Sequence, residues 1–425
     1  MRPLNYYKKL LNVVLLYDRT YDERRQRSFF GSELPRTNLL LRFFQLNCAI
    51  PLTLISWALL RILSIRYKVS IYVLKTFRPG FASTYLCMME PLCRQLQHEN
   101  HARHIKILVN PGQSASDILV KSYEPHFTLY LDDRRKFVRL IAYLIPKSGL
   151  EKQFINTSNK FLPAWLFRPS INYANLENKA PADLANLGIN KGNFVLFAHP
   201  SRSYYQSRLP SEYLPEMEQM FYDLSSYRPA LAKLIENNLK VIRVGVNVDE
   251  LPETLKKLSI IDYTGEIRNE ASEFWLYENC RFLLSAANGA FWFARRFDRP
   301  TLLTDSYVLP FGYFSTLYTP RTIRNKESGK LLTFAEMLKI RYSPNFLSNQ
   351  FMEDYHLEIL PNTSTTITNA VTEMIDLVNG QNQVTPDDLN LIRRYQMILT
   401  SFNIPIAEGI TLPAFSFLRE YSSLL

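Results

Sequence analysis

The stretch Glu273–Asp305, EFWLYENCRFLLSAANGAFWFARRFDRPTLLTD, constrains this chain more than any other. It reads as helix, buried strand, small-residue turn, helix and second strand within about 33 residues, the length of one βαβ-type unit. Arg281–Ser285 is a short apolar run, and Ala286-Ala287-Asn288-Gly289 then carries no bulky side chain. Phe291, Ala294 and Phe297 follow at helical spacing, and Pro300-Thr301-Leu302-Leu303 restarts a strand. A turn of small residues that opens a helix lets backbone N–H groups approach a ligand closely. The helix dipole there favours an anion, most often a phosphate. Asn288 suits the cap of that helix, with Gly289 and Ala290 supplying the close backbone. Many α/β proteins use such turns simply to pack, so a phosphate site and a packing turn are the two readings.

The pattern on either side of this unit extends it into an α/β protein. Lys68–Leu74 is a strand candidate, Arg78-Pro79-Gly80 a turn, and Ala82–Leu96 a helix kinked at Pro91. Ile105–Val109 is a second strand, with a helix from Ser114, the opening of a doubly wound domain. Residues 145–190, with Pro163, Pro169 and Pro181 and no sustained period, read as a connection and a loop. A second α/β unit starts at Asn193–Ala198 and continues with a helix at Tyr227–Glu236 and a strand at Lys240–Val244. Ile359–Leu377 reads as a turn and a helix, Asp387–Ser401 as a helix, and the segment from Ile410 as a terminal helix packing back.

Charge is uneven along the 425 residues. Residues 1–150 hold 23 Lys and Arg against 10 Asp and Glu; the whole chain has 50 against 39, leaving 27 against 29 for the remainder. The basic excess therefore belongs to the N-terminal third and predicts a local anionic partner. No nucleic-acid recognition module accompanies it. Leu39–Ser64, LLLRFFQLNCAIPLTLISWALLRILS, makes anionic lipid the better match. Its cleanest core, Cys48–Leu60, is 13 residues long, short of the roughly 20 that a spanning helix needs. Trp57 near one end and Arg61, Arg66 and Lys68 beyond it suit a membrane–water interface. A helix or hairpin lying in one leaflet is the first reading, a buried core helix the second and a true span the third. The four Cys show no metal or paired spacing, which predicts a reducing compartment: cytoplasmic, peripheral on the inner face of a membrane.

A parallel sheet delivers functional residues to the carboxyl ends of its strands. Phe194–Ala198 runs into His199-Pro200-Ser201-Arg202, which puts an imidazole and a guanidinium at that edge. Arg243 sits inside an apolar strand and requires a partner, because an unpaired buried charge is prohibitively costly. A phosphate held by the bidentate fork and an Asp or Glu on a neighbouring strand are the two candidates. Asp262 ends another strand, and the loop after it suits a base or ribose pocket. Glu273 either accepts ribose hydroxyls or complements its helix dipole. Arg228 and Gly80 are cleft candidates. The chain has no G-x-S-x-G, H-E-x-x-H, Walker A or G-x-G-x-x-G, and its six His form no ligand pair at metal spacing.

From Asn193 to about Leu377 the chain resembles a bacterial family of glycosyltransferases with two facing Rossmann-like domains, distantly similar to protein O-fucosyltransferases. The elements that carry the likeness are FVLFAHPSR, SYRPALAKLIENNLKVIRVG, SIIDYTGE, ENCRFLLSAANGAFWFARRFDRPTLLTD and LLTFAEML. The resemblance implies a GT-B-like α/β fold of two Rossmann-like domains behind an N-terminal apolar helical segment. Residues 1–67 would be the basic region with its membrane helix, 68–190 an acceptor domain and linker, 191–380 a donor-binding domain and 381–425 C-terminal helices. It implies transfer of a sugar from a nucleotide diphosphate to a hydroxyl of a glycan or lipid-linked acceptor, inverting and without a metal. Arg202, Arg243 and the N–H groups of Asn288–Ala290 would hold the diphosphate, with His199 or Glu90 as base. The family reads His-x-Arg plus an acid where this chain has His199-Pro200-Ser201-Arg202-Ser203, and carries an acid near Trp275-Leu276 that is absent here. Those departures leave a second reading, an inactive glycan-binding or membrane-surface assembly protein of the same fold.

Overall fold

A computed structural model describes residues 55, 58–59, 62, 65–66, 68–73, 104–110, 129–132, 154–155, 180–206, 221–286, 288–297, 299–306, 316–341, 349–381, 383–404 and 413–425. Gly80, Glu90 and the expected helices at Ala82–Leu96 and from Ser114 lie outside these residues. Two parallel sheets dominate. The first contains β1 (Lys68–Val73), β2 (His104–Asn110), β3 (Leu129–Asp132) and β4 (Phe154–Ile155), in the order β3-β2-β1-β4. β4 falls inside the stretch that reads as a connection; two residues are too few to show a period.

The second sheet contains β5 (Phe194–Ala198), β6 (Lys240–Arg243), β7 (Ile260–Asp262), β8 (Phe282–Ala286), β9 (Thr301–Ser306) and β10 (Leu317–Pro320). Its order is β10-β9-β8-β5-β6-β7, with every pair parallel. The chain thus builds outward from β5 through β6 to β7, returns to the other side of β5 and builds outward again through β8, β9 and β10. That is the doubly wound order, and its reversal lies between β5 and β8. Both strands are buried along their whole length, as the unbroken apolar runs Phe194-Val195-Leu196-Phe197 and Phe282-Leu283-Leu284 require of central parallel strands.

The helices close the core. Arg228–Glu236 buries Ala230, Leu231 and Leu234 and packs against Ser364–Val378. Thr363 caps the latter through a bond from the Thr366 N–H. A strand, β12 (Leu357–Leu360), precedes it and pairs antiparallel with β11 (Thr322–Asn325), where the sequence suggested only a turn. The polar alternation Thr322-Ile323-Arg324-Asn325 hides this short ribbon. The terminal helix Phe415–Glu420 does pack back. Glu373 accepts the Phe415 and Ser416 N–H groups at 2.9 and 2.8 Å, and Arg419 pairs with the buried Asp388 at 2.7 Å. Arg419 holds the Asp388 carboxyl at about 2, well below the usual range. Just before that helix, the Ala414 N–H donates to the Tyr318 carbonyl and extends β10.

Candidate functional site

The strand reversal puts two loops side by side. In the register Ala198 lies opposite Ser285, so His199 after β5 and Asn288 after β8 emerge at neighbouring points of one edge. After β8, Asn288 accepts the Ala290 N–H at 2.9 Å and the Ser285 hydroxyl at 3.2 Å. It therefore caps the seven-residue helix Ala290–Arg296. Asn288, Gly289 and Ala290 are half-buried, Phe291 and Ala294 fully buried. Small residues thus line the surface of the turn, while the apolar face of the helix anchors it.

After β5, the chain forms the short helix Arg202–Gln206. Its first N–H groups are already occupied: Asp249 accepts from the Arg202 and Ser203 amides at 2.7 and 2.9 Å and from the Ser203 hydroxyl. These bonds hold the Asp249 carboxyl below its ordinary value against the opposing cost of partial burial. An internal carboxylate thus sits where a Rossmann domain commonly seats a phosphate. Gly245 makes the fold-back possible, at φ 150° and with a Cβ position only 2.6 Å from the Val248 side chain. The Arg202 guanidinium lies over the Phe221 ring, 5.3 Å from its centre.

Arg243 resolves to the neighbouring-strand partner. β6 and β7 place it opposite Asp262, and the guanidinium donates to Asp262 at 3.1 Å and to the Asp249 carbonyl. Asp262 also accepts from the Thr264 hydroxyl, so the fold uses both its oxygens. Glu273 is 7% exposed and paired with Arg268 at 2.6 Å; burial raises its pKa and Arg268 opposes the rise. It lies in the first turn of Glu270–Asn279, where Asn269 is the cap. Arg228 is exposed at the start of its helix. Arg243, Asp262 and Glu273 thus each have partners within the chain itself.

His199 is the residue whose chemistry stays open. Its Nδ1–H donates to the Pro200 carbonyl at 2.7 Å, which fixes the lone pair on Nε2. Nε2 is buried and has no hydrogen-bond partner. The ring stands edge-on to Tyr222 and Tyr227, with centroids at 4.8 and 5.7 Å. Burial is the main cause that lowers its pKa to about 4, with Arg243 and Arg321 pushing the same way. The imidazole is thus neutral and an acceptor at physiological pH, but weak as a base.

Sequence reasoning missed what stands behind this ring. Asp305, fully buried and at φ 48°, is the penultimate residue of β9. It accepts from the Tyr227 hydroxyl at 3.1 Å and the Asn362 amide N–H at 2.6 Å. Tyr227 also bonds Thr304 at 2.7 Å. Arg321 lies over the Tyr222 ring at 5.7 Å and donates to the Asp305 carbonyl at 3.2 Å. Burial pushes the Asp305 carboxyl up to about 6, against those bonds and the Arg321 charge. Left-handed backbone at a non-glycine residue is a known mark of strained functional positions. The signal in the sequence was TLLTD followed fourteen residues later by Thr-Pro-Arg, an acid and a base near the ends of two strands.

No protein-family profile matches the chain, and no curated protein does. Solved structures similar to it include the glycosyl transferase family 9 protein of Veillonella parvula, at 11% identity and a TM-score of 0.40, over 58% of this chain and 83% of that one. The E. coli dodecameric iron-containing heptosyltransferase TibC in complex with ADP-D-beta-D-heptose gives 12% and 0.37, over 74% and 77%. S. aureus MnaA with UDP gives 10% and 0.30, over 81% and 99%. These are loose likenesses. None of the three is a protein O-fucosyltransferase, so that part of the resemblance rests on the sequence alone.

Proposed function

We propose that the chain is a glycosyltransferase that binds a nucleotide diphosphate sugar at the β5/β8 edge and passes the sugar to a hydroxyl acceptor. The observation that carries this reading is the strand reversal between β5 and β8, the place where doubly wound sheets open a crevice at the carboxyl ends of their strands. The Asn288–Ala290 turn, whose small side chains leave room for a diphosphate, flanks that crevice on one side. His199, with its unpartnered Nε2, flanks it on the other. The family resemblance of FVLFAHPSR and SAANGAFWFARR supports the same assignment.

In the proposed reaction the acceptor oxygen attacks the anomeric carbon as the bond to the diphosphate breaks, with inversion. The acceptor's proton passes to a base, and the diphosphate leaves with the bonding pair. The dipole of the Ala290–Arg296 helix favours the leaving charge. We assign the reaction no metal. His199, neutral and weakly basic with its Nε2 buried, forms part of the wall at this edge and is not the base. The acceptor is a glycan or lipid-linked hydroxyl.

Slow hydrolysis of the donor tests this reading. Purified protein, incubated with a panel of nucleotide sugars in the presence of EDTA, is expected to release one nucleoside diphosphate. Release should fall at least about tenfold in Gly289→Asp, whose carboxylate repels the diphosphate. No release from any donor, with or without added divalent metal, would favour the inactive binding protein.

A further inference from the structure

A basic, apolar helix face near the N-terminus is left without a role by this site. Ile55, Ala58, Leu59, Ile62, Ile65 and Arg66 are helical and all exposed. The four large apolar side chains are 54%, 55%, 64% and 86% exposed in chain order. At about 100° per residue the six fall within an arc of about 120°, the width of the stripe that an amphipathic helix normally turns inward. Here the stripe turns outward, and Arg66 shares it.

We infer that this face docks on an anionic lipid bilayer, lying in the interface rather than crossing it. Among the described residues, no helix is long and apolar enough to cross a membrane. The choice of occupant rests on charge. Arg66 lies in the stripe, Arg61 and Lys68 are its neighbours in the sequence, and the first 150 residues carry 23 basic against 10 acidic side chains. A second copy of the chain would bring the same basic region against itself. A bilayer with anionic headgroups supplies apolar depth for Ile55, Leu59, Ile62 and Ile65 and complementary charge at the rim. This inference rests on observations independent of the donor site, and its test does not use activity.

The full-length protein is sedimented with vesicles of phosphatidylcholine alone and of phosphatidylcholine mixed with phosphatidylglycerol. Binding is expected to the mixed vesicles, to weaken as salt rises, and to be far weaker with neutral ones. The double variant Leu59→Glu, Ile62→Glu should lose at least about tenfold in affinity. Arg66→Glu should lose at least about fivefold, since each basic residue near such a surface contributes about 1 kcal/mol. Both variants change exposed side chains, and unaltered melting temperatures will show the fold intact. Failure to sediment with either vesicle, or binding that the double variant leaves unchanged, would overturn the assignment. So would a lipid-free, concentration-dependent dimer that the double variant abolishes, which would give the face to a second copy.

Discussion

The two loops at the β5/β8 edge spend their polar groups differently. On the β5 side the fold is wired to itself: Asp249 caps the Arg202–Gln206 helix, and Arg243 ties Asp262 to the Asp249 backbone. On the β8 side, the bonds of Asn288 stay within its own turn. The lesson is that charge at a strand end does not mark a ligand contact by itself. A guanidinium paired with a carboxylate on the next strand serves the fold, whereas the Asn288 turn carries small, half-buried residues and no charged side chain. Between the two, His199 and the Asp305 cluster form a buried polar layer that holds both in place.

Removing the buried layer should have the largest effect. Asp305→Ala leaves the Asn362 amide without its acceptor and strips one partner from Tyr227, and should cost about 3 kcal/mol in urea unfolding. A cost near zero would show that Asp305 is not part of the frame.

Proton linkage separates the two buried titrating groups next. The Asp305 carboxyl sits at about 6 when folded, above its ordinary 3.8, so the stability it contributes below pH 4 is lost as pH rises to 6. His199 runs the other way: its folded value of about 4 lies below its ordinary 6.5, so stability is gained as pH rises from 4 to 6.5. In the wild type the two slopes largely cancel. His199→Gln should uncover a fall of about 2 kcal/mol between pH 4 and 6 relative to wild type, and Asp305→Asn a rise of similar size. Variants whose pH profiles run parallel to wild type would refute the assignment of these shifts.

The wired side is probed by Arg243→Ala, which should cost about 2 kcal/mol because it removes charge-assisted bonds to Asp262 and the Asp249 carbonyl. Asp249→Ala should cost less, about 1 kcal/mol, the value of a helix cap. If Asp249→Ala proves the more damaging of the two, the order of dependence in this network is reversed.

Much of the second sheet was legible in the sequence because its strands are continuous apolar runs ended by turn residues. Phe194–Ala198, Lys240–Arg243 and Phe282–Ala286 each sit within one residue of where the pattern puts them. β10, β11 and β12 were not, since their four-residue spans mix Thr, Arg, Asn and Glu with apolar residues and show no sustained period. At the site, the strand-end positions of His199, Arg243, Asp262 and Asn288 could be read, but not their partners. Arg243 and Asp262 are 19 residues apart and meet only through strand register. Asp249 and Arg202 are 47 apart and meet only because the chain folds back after Gly245. Asp305, Tyr227 and Asn362 come together from separations of 57 and 78 residues, beyond the reach of any local pattern.

In the proposed function the Asn288–Gly289 turn, not the arginine network, receives the diphosphate. Thermal unfolding with a panel of nucleoside diphosphates tests it most directly, on the wild type, Gly289→Asp and Arg243→Ala. At a ligand concentration about 100 times Kd the wild type should gain roughly 2.7 kcal/mol with the preferred base. Gly289→Asp should melt near the wild-type temperature and lose that gain, whereas Arg243→Ala should melt lower and keep it. A gain that survives Gly289→Asp and vanishes in Arg243→Ala would move the diphosphate to the β5 side and contradict the account, and so would no gain with any nucleotide.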